Sequence, residues 1–477
     1  MGDTPGWSSR PDNSVDVGSW SEPLEARDAW FLYAERPDTP LDIGTVYVFE
    51  GSPAAGSGRG ALAIEDTIAE RLHLVPRYRQ KVKRVPFNLA HPVWVDDPNF
   101  DLEQQVRHEM LKPPGSGAQL RAAVMRILSR PLDHRRPLWE VTVIHGLRSG
   151  KVVVVNRAHH AMVDGISALD IMTVLLDSSA SPSPVSPPAE PWSPRPAPSG
   201  WELLRRVFVD LRRSSDQRGL GARDVWRAWR QPWLGWVSLG RSVVVPDQEL
   251  FWNRAIGPKR TGRGLKVPLA SFKALKTRFG CTVNDAILAV VAEGLHDWFV
   301  ARGDRVPERI RVFCPVSVRD PSQRSRLGNR ISGMVVELPT GEMEIAGRLQ
   351  RISYSTAELK RSGQAVAADR LAALADWAPA SLLVLAGRVM STPQAGAKLN
   401  VTNVPGPQSP LFSGGSRLLE VWPFAPLYPS MGLGLAAVSY NGDVFFGLSA
   451  DPGLVPDVEA FTRFIQTAAE RCFALVV

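Results

Sequence analysis

The amino-acid sequence predicts a mixed α/β (α+β) protein with two domains. Short β-branched or alternating runs, typical of strands, occur in both halves of the chain between segments with apolar residues at helical spacing. The length of 477 residues exceeds what one hydrophobic core usually supports, and a hydrophobic content of 44% is enough for two cores. A proline-rich tract separates the two halves and marks the expected boundary.

Composition divides the chain into five segments. Residues 1–22 are rich in Gly, Ser, Pro and Asp, and we expect them to be disordered. A first domain follows at 23–177. The proline-rich tract at 178–200 is then an extended linker, the Trp- and Arg-rich stretch at 201–263 a helical connector, and 264–477 a second domain.

Periodicity and turn residues predict the individual elements. In the first domain we expect helices at 26–35, 61–74, 120–128 and 166–176, strands at 40–49, 139–144 and 152–155, and an irregular, strand-like block at 76–102. In the second domain we expect helices at 271–279, 282–299, 343–391 and 461–473, and strands at 311–319, 334–338, 432–441 and 444–451. The Asn441-Gly442 pair between the last two strands is typical of a hairpin turn.

Charge and cysteine content limit the possible partners and compartments. A net charge of +8 suits an anionic partner, which can be nucleic acid, a membrane surface or a phosphorylated ligand. The three cysteines, Cys281, Cys314 and Cys472, lack metal-site spacing and are expected to be buried free thiols. The sequence contains neither 18 consecutive apolar residues nor a signal peptide, so we expect a cytoplasmic protein without a transmembrane helix.

Candidate chemistry is concentrated in the stretch Lys151–Ser167. Its run Val152–Val155 predicts a strand buried on both faces, with His159 and His160 at the strand's end. Successive strand side chains point to opposite faces, so the two histidines cannot easily serve one metal ion or one substrate together. We expect one to act while the other supports it, or both simply to be packed and hydrogen-bonded. Asp164-Gly165 then predicts a tight turn into the next helix.

The pattern HHxxxDG at 159–165 resembles the signature of the coenzyme A-dependent acyltransferase superfamily. That superfamily includes chloramphenicol acetyltransferase, condensation domains of peptide synthetases and the wax ester synthase/diacylglycerol acyltransferases. Further elements resemble the last of these families, over roughly residues 24–475: the 76–102 block, the PLW element within Arg130–Glu140, Asn284-Asp285, Pro315–Arg319, Leu327–Asn329, Asn403–Pro407 and Ser439–Gly442.

The resemblance implies two chloramphenicol-acetyltransferase-like domains, each a mixed sheet flanked by helices, with the active site in a channel between them. The chain departs from the family at 41–44, where Leu-Asp-Ile-Gly replaces a Met-His-Val-Gly type of segment. We expect this departure to alter one wall of the acyl pocket.

Acyl transfer from a thioester to an alcohol requires a base, an oxyanion stabiliser and an acid for the leaving thiolate. The resemblance implies that His160 is the catalytic base, because HxxxDG counts from the second histidine. His159 then braces the strand end or contacts substrate. Asp164 and Gly165 support the motif, and related folds imply that Asp164 pairs with Arg319 across the domain junction.

Two residues of the second domain are candidates to contact substrate or oxyanion. Asn284 can orient either group, or can instead act as a helix cap. Ser317 is a weaker candidate on a strand of the same domain.

The implied function is O-acyl transfer from acyl-coenzyme A to diacylglycerol or a long-chain alcohol, with no cofactor, no metal and no nucleic-acid partner. The alternatives are a condensation-type enzyme that uses carrier-protein thioesters and a non-catalytic lipid-binding protein of the same fold. Because such acceptors do not dissolve in water, we expect the enzyme to lie peripherally on a membrane or lipid droplet. Trp201–Trp252 is the expected contact, or instead packs as a helical linker.

Overall fold

The structure is a computed structural model that describes residues 19–51, 64–163, 175–181, 185–218, 249–317, 331–361 and 397–476. In the first half, the strands are β1 (Glu22–Pro23), β2 (Asp42–Phe49), β3 (Gln80–Lys83), β4 (Val93–Asp96), β5 (Val106–Met110), β6 (Trp139–His145) and β7 (Val152–His159). The helices of this half are α1 (Ala26–Ala34), α2 (Ile64–Arg71) and α3 (Gly117–Ser129).

The later elements begin with helix α4 (Gly200–Arg218). The strands that follow are β8 (Thr261–Pro268), β9 (Arg309–Ser317), β10 (Ile331–Pro339), β11 (Leu399–Pro405), β12 (Phe412–Ser413), β13 (Ser416–Phe424), β14 (Leu433–Tyr440) and β15 (Asp443–Ala450). The remaining helices are α5 (Leu269–Phe279), α6 (Val283–Arg302), α7 (Ile345–Arg361) and α8 (Val458–Ala474).

The described strands form two six-stranded mixed sheets and one small antiparallel sheet. The first large sheet has the order β12-β13-β2-β7-β6-β5, and the second has the order β10-β9-β11-β14-β15-β8. The small sheet has the order β1-β4-β3. Each large sheet contains antiparallel and parallel pairs, as the α/β prediction requires.

Strands β12 and β13 come from the second half of the chain but belong to the first sheet. Strand β13 pairs antiparallel with β2, so that Val421 lies opposite Tyr47. The second domain predicted at 264–477 therefore contributes two strands to the sheet of the first half. The sequence analysis did not predict β13, because its partner strand lies far away in the chain.

The hydrophobic core of the first sheet also contains residues from the second half of the chain. Val438, Tyr440 and Phe445 are strand residues of the second sheet, yet they pack into the cluster that contains Tyr47 and Trp139 of the first sheet. A separate core lies around helix α6 and the second sheet. Cys281, Cys314 and Cys472 are buried free thiols, as predicted.

The N-terminal boundary and the linker differ from expectation. Residues 19–22, assigned to a disordered N-terminus, are ordered: Glu22 pairs with Trp94, and the Arg195 guanidinium lies 3.3 Å from the centroid of Trp20. The tract before α4 is extended, as proline-rich sequences favour, but it packs on the small sheet, where Arg195 binds Asp96 at 2.8 Å. It lies along one domain because these polar contacts hold it there.

The Trp- and Arg-rich connector begins with α4, whereas residues 219–248 lie outside the described part of the structure. At its ends, Trp201 is exposed to solvent and Trp252 is fully buried. In the part of the chain that the structure describes, no helix has both the length and the apolar character needed to cross a membrane.

The contact between the two large sheets can be tested at Gly447. A Cβ at this position of β15 would lie 1.6 Å from the carbonyl oxygen of Pro423 on β13. We expect Gly447→Ala to lower the free energy of unfolding by at least about 1–3 kcal/mol, since the strands must separate to admit a methyl group. Urea denaturation measures the change.

The control for this substitution is Gly347→Ala on helix α7, where the new Cβ would meet Met343 at an ordinary 3.7 Å. Alanine is favoured over glycine in helices by about 1 kcal/mol, so the control is expected to be neutral or stabilising. Equal stabilities of Gly447→Ala and the unchanged protein would contradict the close contact between the sheets.

Candidate active site

The two histidines lie at the end of β7, whose eight residues are all buried between β2 and β6. The backbone N–H of His159 donates to the carbonyl oxygen of Leu138 at 2.9 Å, and that of His160 donates to Leu41 at 3.0 Å. Leu138 belongs to the PLW element, which therefore forms one wall of the motif. Both histidines are fixed by backbone contacts with neighbouring segments.

The His160 ring lies flat against Phe31 of helix α1. The ring centroids are 4.2 Å apart and the planes differ by 2°. Burial lowers the pKa of His160 to about 3, and the neighbouring His159 adds to the decrease. The imidazole is therefore uncharged at neutral pH and able to accept a proton.

The hydrogen bonds of His159 determine which of its ring nitrogens carries the proton. Its Nδ1 accepts the backbone N–H of Ala161 at 3.0 Å, so Nδ1 presents a lone pair. The proton of the ring consequently resides on Nε2, which lies 3.6 Å from Oε2 of Glu35. His159 is fully buried, and its Nε2 points at this carboxylate.

Glu35 joins His159 to a third histidine, His134. The Nε2 of His134 lies 2.8 Å from the same Oε2, and the backbone N–H of Leu41 donates to Oε1 at 3.3 Å. Burial alone would raise the pKa of Glu35, but the hydrogen bond from His134 and the nearby His159 outweigh it and lower the pKa. The hydrogen bond to Glu35 in turn raises the pKa of His134. Glu35 is therefore a carboxylate held between two imidazole rings.

The end of helix α1 thus contacts both motif histidines. Phe31 and Glu35, the residue that ends the helix, are four positions apart and lie on one side of it. The sequence analysis missed Phe31, Glu35 and His134. The four-residue spacing was visible, but only the tertiary structure reveals that this side faces β7.

Among the described residues, the side chains of Glu35, His134 and His159 are of types that can bind a metal ion. Their ligand atoms all lie within 4.8 Å of one another. A metal would need the lone pair of Nε2 on His159, which carries the proton as long as Nδ1 accepts from Ala161. The short contact between Glu35 and His134, and the hydrogen bond from Ala161 to His159, therefore fit a polar cluster better than a metal site.

The departure at 41–44 lies beside the histidine motif, since the carbonyl oxygen of Leu41 accepts a hydrogen bond from the backbone N–H of His160. Asp42 is buried, and its Oδ2 accepts a hydrogen bond of 2.8 Å from Arg157, which is itself fully buried two residues before His159. Arg157 also donates to the carbonyl oxygen of Ile127 at 2.8 Å. The Asp42 side chain is engaged in a buried ion pair within the sheet. An effect of the 41–44 segment on the acyl pocket stays a prediction.

The candidates in the second half of the chain lie on α6 and β9. Thr282 is the N-cap of α6, and Asp285 completes a reciprocal capping box, so the expected cap role of Asn284 is wrong. Asn284 lies one residue before Asp285, which is buried and accepts a further hydrogen bond from Thr356 at 2.7 Å. Ser317 ends β9 opposite Ile331, and its side chain is outside the described residues.

The rest of the motif and its expected partner lie outside the described residues. These are Asp164, Gly165 and Arg319. Their support of the motif, and the pairing of Asp164 with Arg319, remain predictions.

Comparison with known proteins connects this geometry to a family. The profile of the wax ester synthase/diacylglycerol acyltransferase catalytic domain matches residues 24–287, and that of its C-terminal domain matches 327–471. The chain belongs to this family. A relative named diacylglycerol O-acyltransferase tgs1, from Mycobacterium tuberculosis, is 33% identical over 456 residues, which cover 95% of this chain and 96% of the relative.

Solved structures confirm the two-domain fold. The wax ester synthase/diacylglycerol acyltransferase from Marinobacter aquaeolei VT8 matches with a TM-score of 0.64 at 22% identity, covering 95% of this chain and 99% of that one. The starter condensation domain of rhizomide synthetase, in complex with C8-CoA and Leu-SNAC, matches with a TM-score of 0.58 at 15% identity, covering 98% and 97%. The expected architecture, mixed sheets flanked by helices, is that of these structures.

The role of the contacts between Glu35 and the two histidines His134 and His159 can be tested with Glu35→Gln, which keeps the shape of the side chain but removes its charge. We expect kcat to fall by about 10- to 100-fold with little change in KM, because a small displacement of the motif would misplace His160, the residue predicted to act as the base. A loss of packing alone would lower stability and leave the kcat of the folded fraction unchanged.

Steady-state kinetics of acyl transfer, with thermal melting recorded beside it, separates these outcomes. The control is Glu65→Gln, which removes the partner of the exposed His108 at the protein surface. Equal kcat values for Glu35→Gln and the control would contradict a positioning role for Glu35.

Proposed function

We propose that the protein transfers a long-chain acyl group from acyl-coenzyme A to the hydroxyl of diacylglycerol or of a long-chain alcohol. The products are triacylglycerol or a wax ester, together with coenzyme A. The observation that carries this proposal is the uncharged His160 at the end of β7, stacked on Phe31, in a chain of this family. Relatives named for diacylglycerol acylation support the choice of acceptor.

In the proposed mechanism His160 acts first as a base and then as an acid. Its imidazole accepts the hydroxyl proton while the oxygen attacks the thioester carbonyl, giving a tetrahedral oxyanion. When the carbon–sulfur bond breaks, the imidazolium returns the proton to the coenzyme A thiolate. Asn284 and Ser317 remain the proposed groups for orienting substrate or stabilising the oxyanion.

The cysteines support direct transfer rather than a cysteine acyl-enzyme. Burial raises the pKa of the Cys281 thiol and raises the pKa of Cys314 and of Cys472 to about 12. Thiols of this kind are not nucleophilic near neutral pH. The hydroxyl of the acceptor is then the nucleophile, and acyl-coenzyme A is a substrate, so the scheme needs no further cofactor.

A carrier-protein thioester is the second candidate donor, because condensation domains share this fold. Their identity of 15% supports a common architecture and nothing finer. Both donors would use His160 in the same way, so the donor must be identified by assay. Peripheral contact with a membrane or lipid droplet is part of the proposal, since both the acceptor and the product are lipids.

The function is tested with a radiolabelled long-chain acyl-coenzyme A, offered diacylglycerol and hexadecanol in parallel. We expect label in triacylglycerol, in wax ester or in both, and a loss of about 10²- to 10⁴-fold in His160→Ala, which lacks the base. His108→Ala removes an exposed histidine of the first sheet and serves as the matched control. Near-normal transfer by a folded His160→Ala protein would rule out the mechanism.

Absence of labelled lipid product from the unchanged protein would argue against the acceptors proposed. If label from an acylated carrier protein, offered in the same assay, is transferred instead, the condensation-type alternative is favoured. If neither donor is used while the protein binds lipid, the non-catalytic alternative is favoured.

A further inference from the structure

Four large apolar side chains are unusually exposed for a folded protein. Solvent reaches 84% of Phe87, 81% of Trp201, 56% of Phe208 and 47% of Leu89. Single exposed apolar residues are ordinary, but a group of this size at one place marks an interaction surface.

The two segments that carry these residues are in contact. A Cβ at Gly200 would lie 3.3 Å from Cγ of Pro86, and Trp201 and Phe87 are the next residues along the two segments. Beneath them, Leu203 of α4 packs with Val85 and Val93 in one small hydrophobic cluster. We call the group Phe87, Leu89, Trp201 and Phe208, with the exposed Arg84 and Arg205, the aromatic corner.

Helix α4 divides into a buried face and an outward face. Leu203 and Leu204 are buried, whereas Trp201, Arg205 and Phe208 are exposed. The three exposed residues follow the spacing i, i+4, i+7, which places them in one row on the helix surface. An arginine therefore lies between two aromatic residues on the outward face.

The loop that carries Phe87 has a strained backbone. Phe87 has φ 58° and ψ 11°, in the left-handed region that residues with a side chain rarely adopt. The next residue, Asn88, also has a positive φ of 51°. Backbone strain of this kind clusters at functional sites.

The aromatic corner has positive charges that are not neutralised. Neither Arg84 nor Arg205 forms an ion pair with a carboxylate in the described part of the chain. Lys83 donates to the carbonyl oxygen of Pro198 at 2.6 Å and keeps its charge near this surface. Among the described side chains of α4, Glu202 is acidic, and it caps the start of the helix with Ser199. Positive charge therefore exceeds negative charge there.

The same loop lies next to the candidate active site. Arg84 is near enough to His134 to oppose the rise in the pKa of that histidine. Farther along the loop, the hydroxyl of Tyr33 lies 3.2 Å from Nδ1 of His91. Tyr33 is on helix α1, which also contacts His160 through Phe31. A ligand bound at the aromatic corner would therefore lie close to helix α1, which supports the histidine motif.

We propose that the aromatic corner docks the enzyme onto a lipid surface that contains anionic headgroups. This inference rests on the proposed function, which supplies the need for a lipid surface. Aromatic rings enter the boundary between headgroups and acyl chains, and the intervening arginines bind the phosphates. The segment expected from sequence to contact lipid, Trp201–Trp252, contributes its first turns to the aromatic corner. The contribution of the loop at 84–89 was not predicted.

A lipid surface fits these residues better than a protein partner does. The apolar residues come from a short turn and one helix face and include two basic side chains between them, a pattern typical of interfacial binding. Protein interfaces tend instead to be depleted of charge at their centre. A second copy of the chain is the remaining occupant that the experiment must distinguish.

The test is co-sedimentation of the full-length protein with vesicles of phosphatidylglycerol and phosphatidylcholine, and with vesicles of phosphatidylcholine alone. The test variant carries Phe87→Ser, Leu89→Ser, Trp201→Ser and Phe208→Ser together. The control carries Val300→Ser and Tyr354→Ser, which remove exposed apolar side chains from other helices. We expect the test variant to bind the anionic vesicles at least about tenfold more weakly and the control to bind normally.

A second, milder variant keeps the test decisive if the four-serine variant does not fold. Arg205→Glu changes one exposed side chain, and we expect it to weaken binding to anionic vesicles by about fivefold or more at low salt, with a smaller effect at high salt. Unchanged binding in both variants, equal loss in the control, or no binding by the unchanged protein would overturn the proposal. Self-association that the four-serine variant abolishes, without vesicle binding, would identify a second copy as the occupant.

Activity separates this inference from the proposed function. The four-serine variant is expected to retain transfer to a short-chain alcohol, which dissolves in water without vesicles, and to lose transfer to diacylglycerol presented in vesicles. If no protein transfers acyl groups in either format, the proposed function fails, while co-sedimentation still reports on the aromatic corner.

Discussion

The burial of strand β7 on both faces is the constraint on which the candidate site depends. A strand with a hydrophobic cluster on each face cannot expose the polar side chains near its end to water, so these side chains need partners inside the protein. Arg157 forms an ion pair with Asp42. His159 accepts a hydrogen bond from Ala161, and its Nε2 lies 3.6 Å from Glu35. The chain leaves the sheet with its two histidines already oriented.

The same burial defines what His160 can do. A pKa of about 3 keeps the ring neutral, but it also makes His160 a weaker base than an exposed imidazole. In the proposed mechanism, attack by the hydroxyl creates a negative oxygen beside the new imidazolium, and this charge compensates for the burial. The catalytic advantage would then come from charges that appear together in the transition state.

Much of the local structure could be predicted from sequence because it depends on neighbouring residues. The Asn441-Gly442 turn predicted the hairpin of β14 and β15, and both residues adopt positive φ values there. The pattern from Thr282 to Asp285 predicted the start of α6, although the cap is the threonine rather than Asn284. The buried run from Val152 predicted β7 and placed the histidines at its end.

The features that sequence did not predict all join distant parts of the chain. Strand β13 pairs with β2 across more than half of the sequence, which no local pattern encodes. The network of Glu35, His134 and His159 brings together a helix, a loop and a strand. Residues 19–22 were predicted to be disordered and the proline-rich tract to be an extended linker, because composition reports flexibility but not the surface on which a segment packs.

The central claim is that a neutral, half-buried His160 is the base, and the most direct test is an NMR titration of its ring. The signal is assigned by its absence in His160→Ala. We expect the ring to stay unprotonated from neutral pH down to about pH 5, because its pKa lies near 3 rather than at the ordinary 6.5. A His160 signal that titrates at about 6.5 would contradict this account of the site.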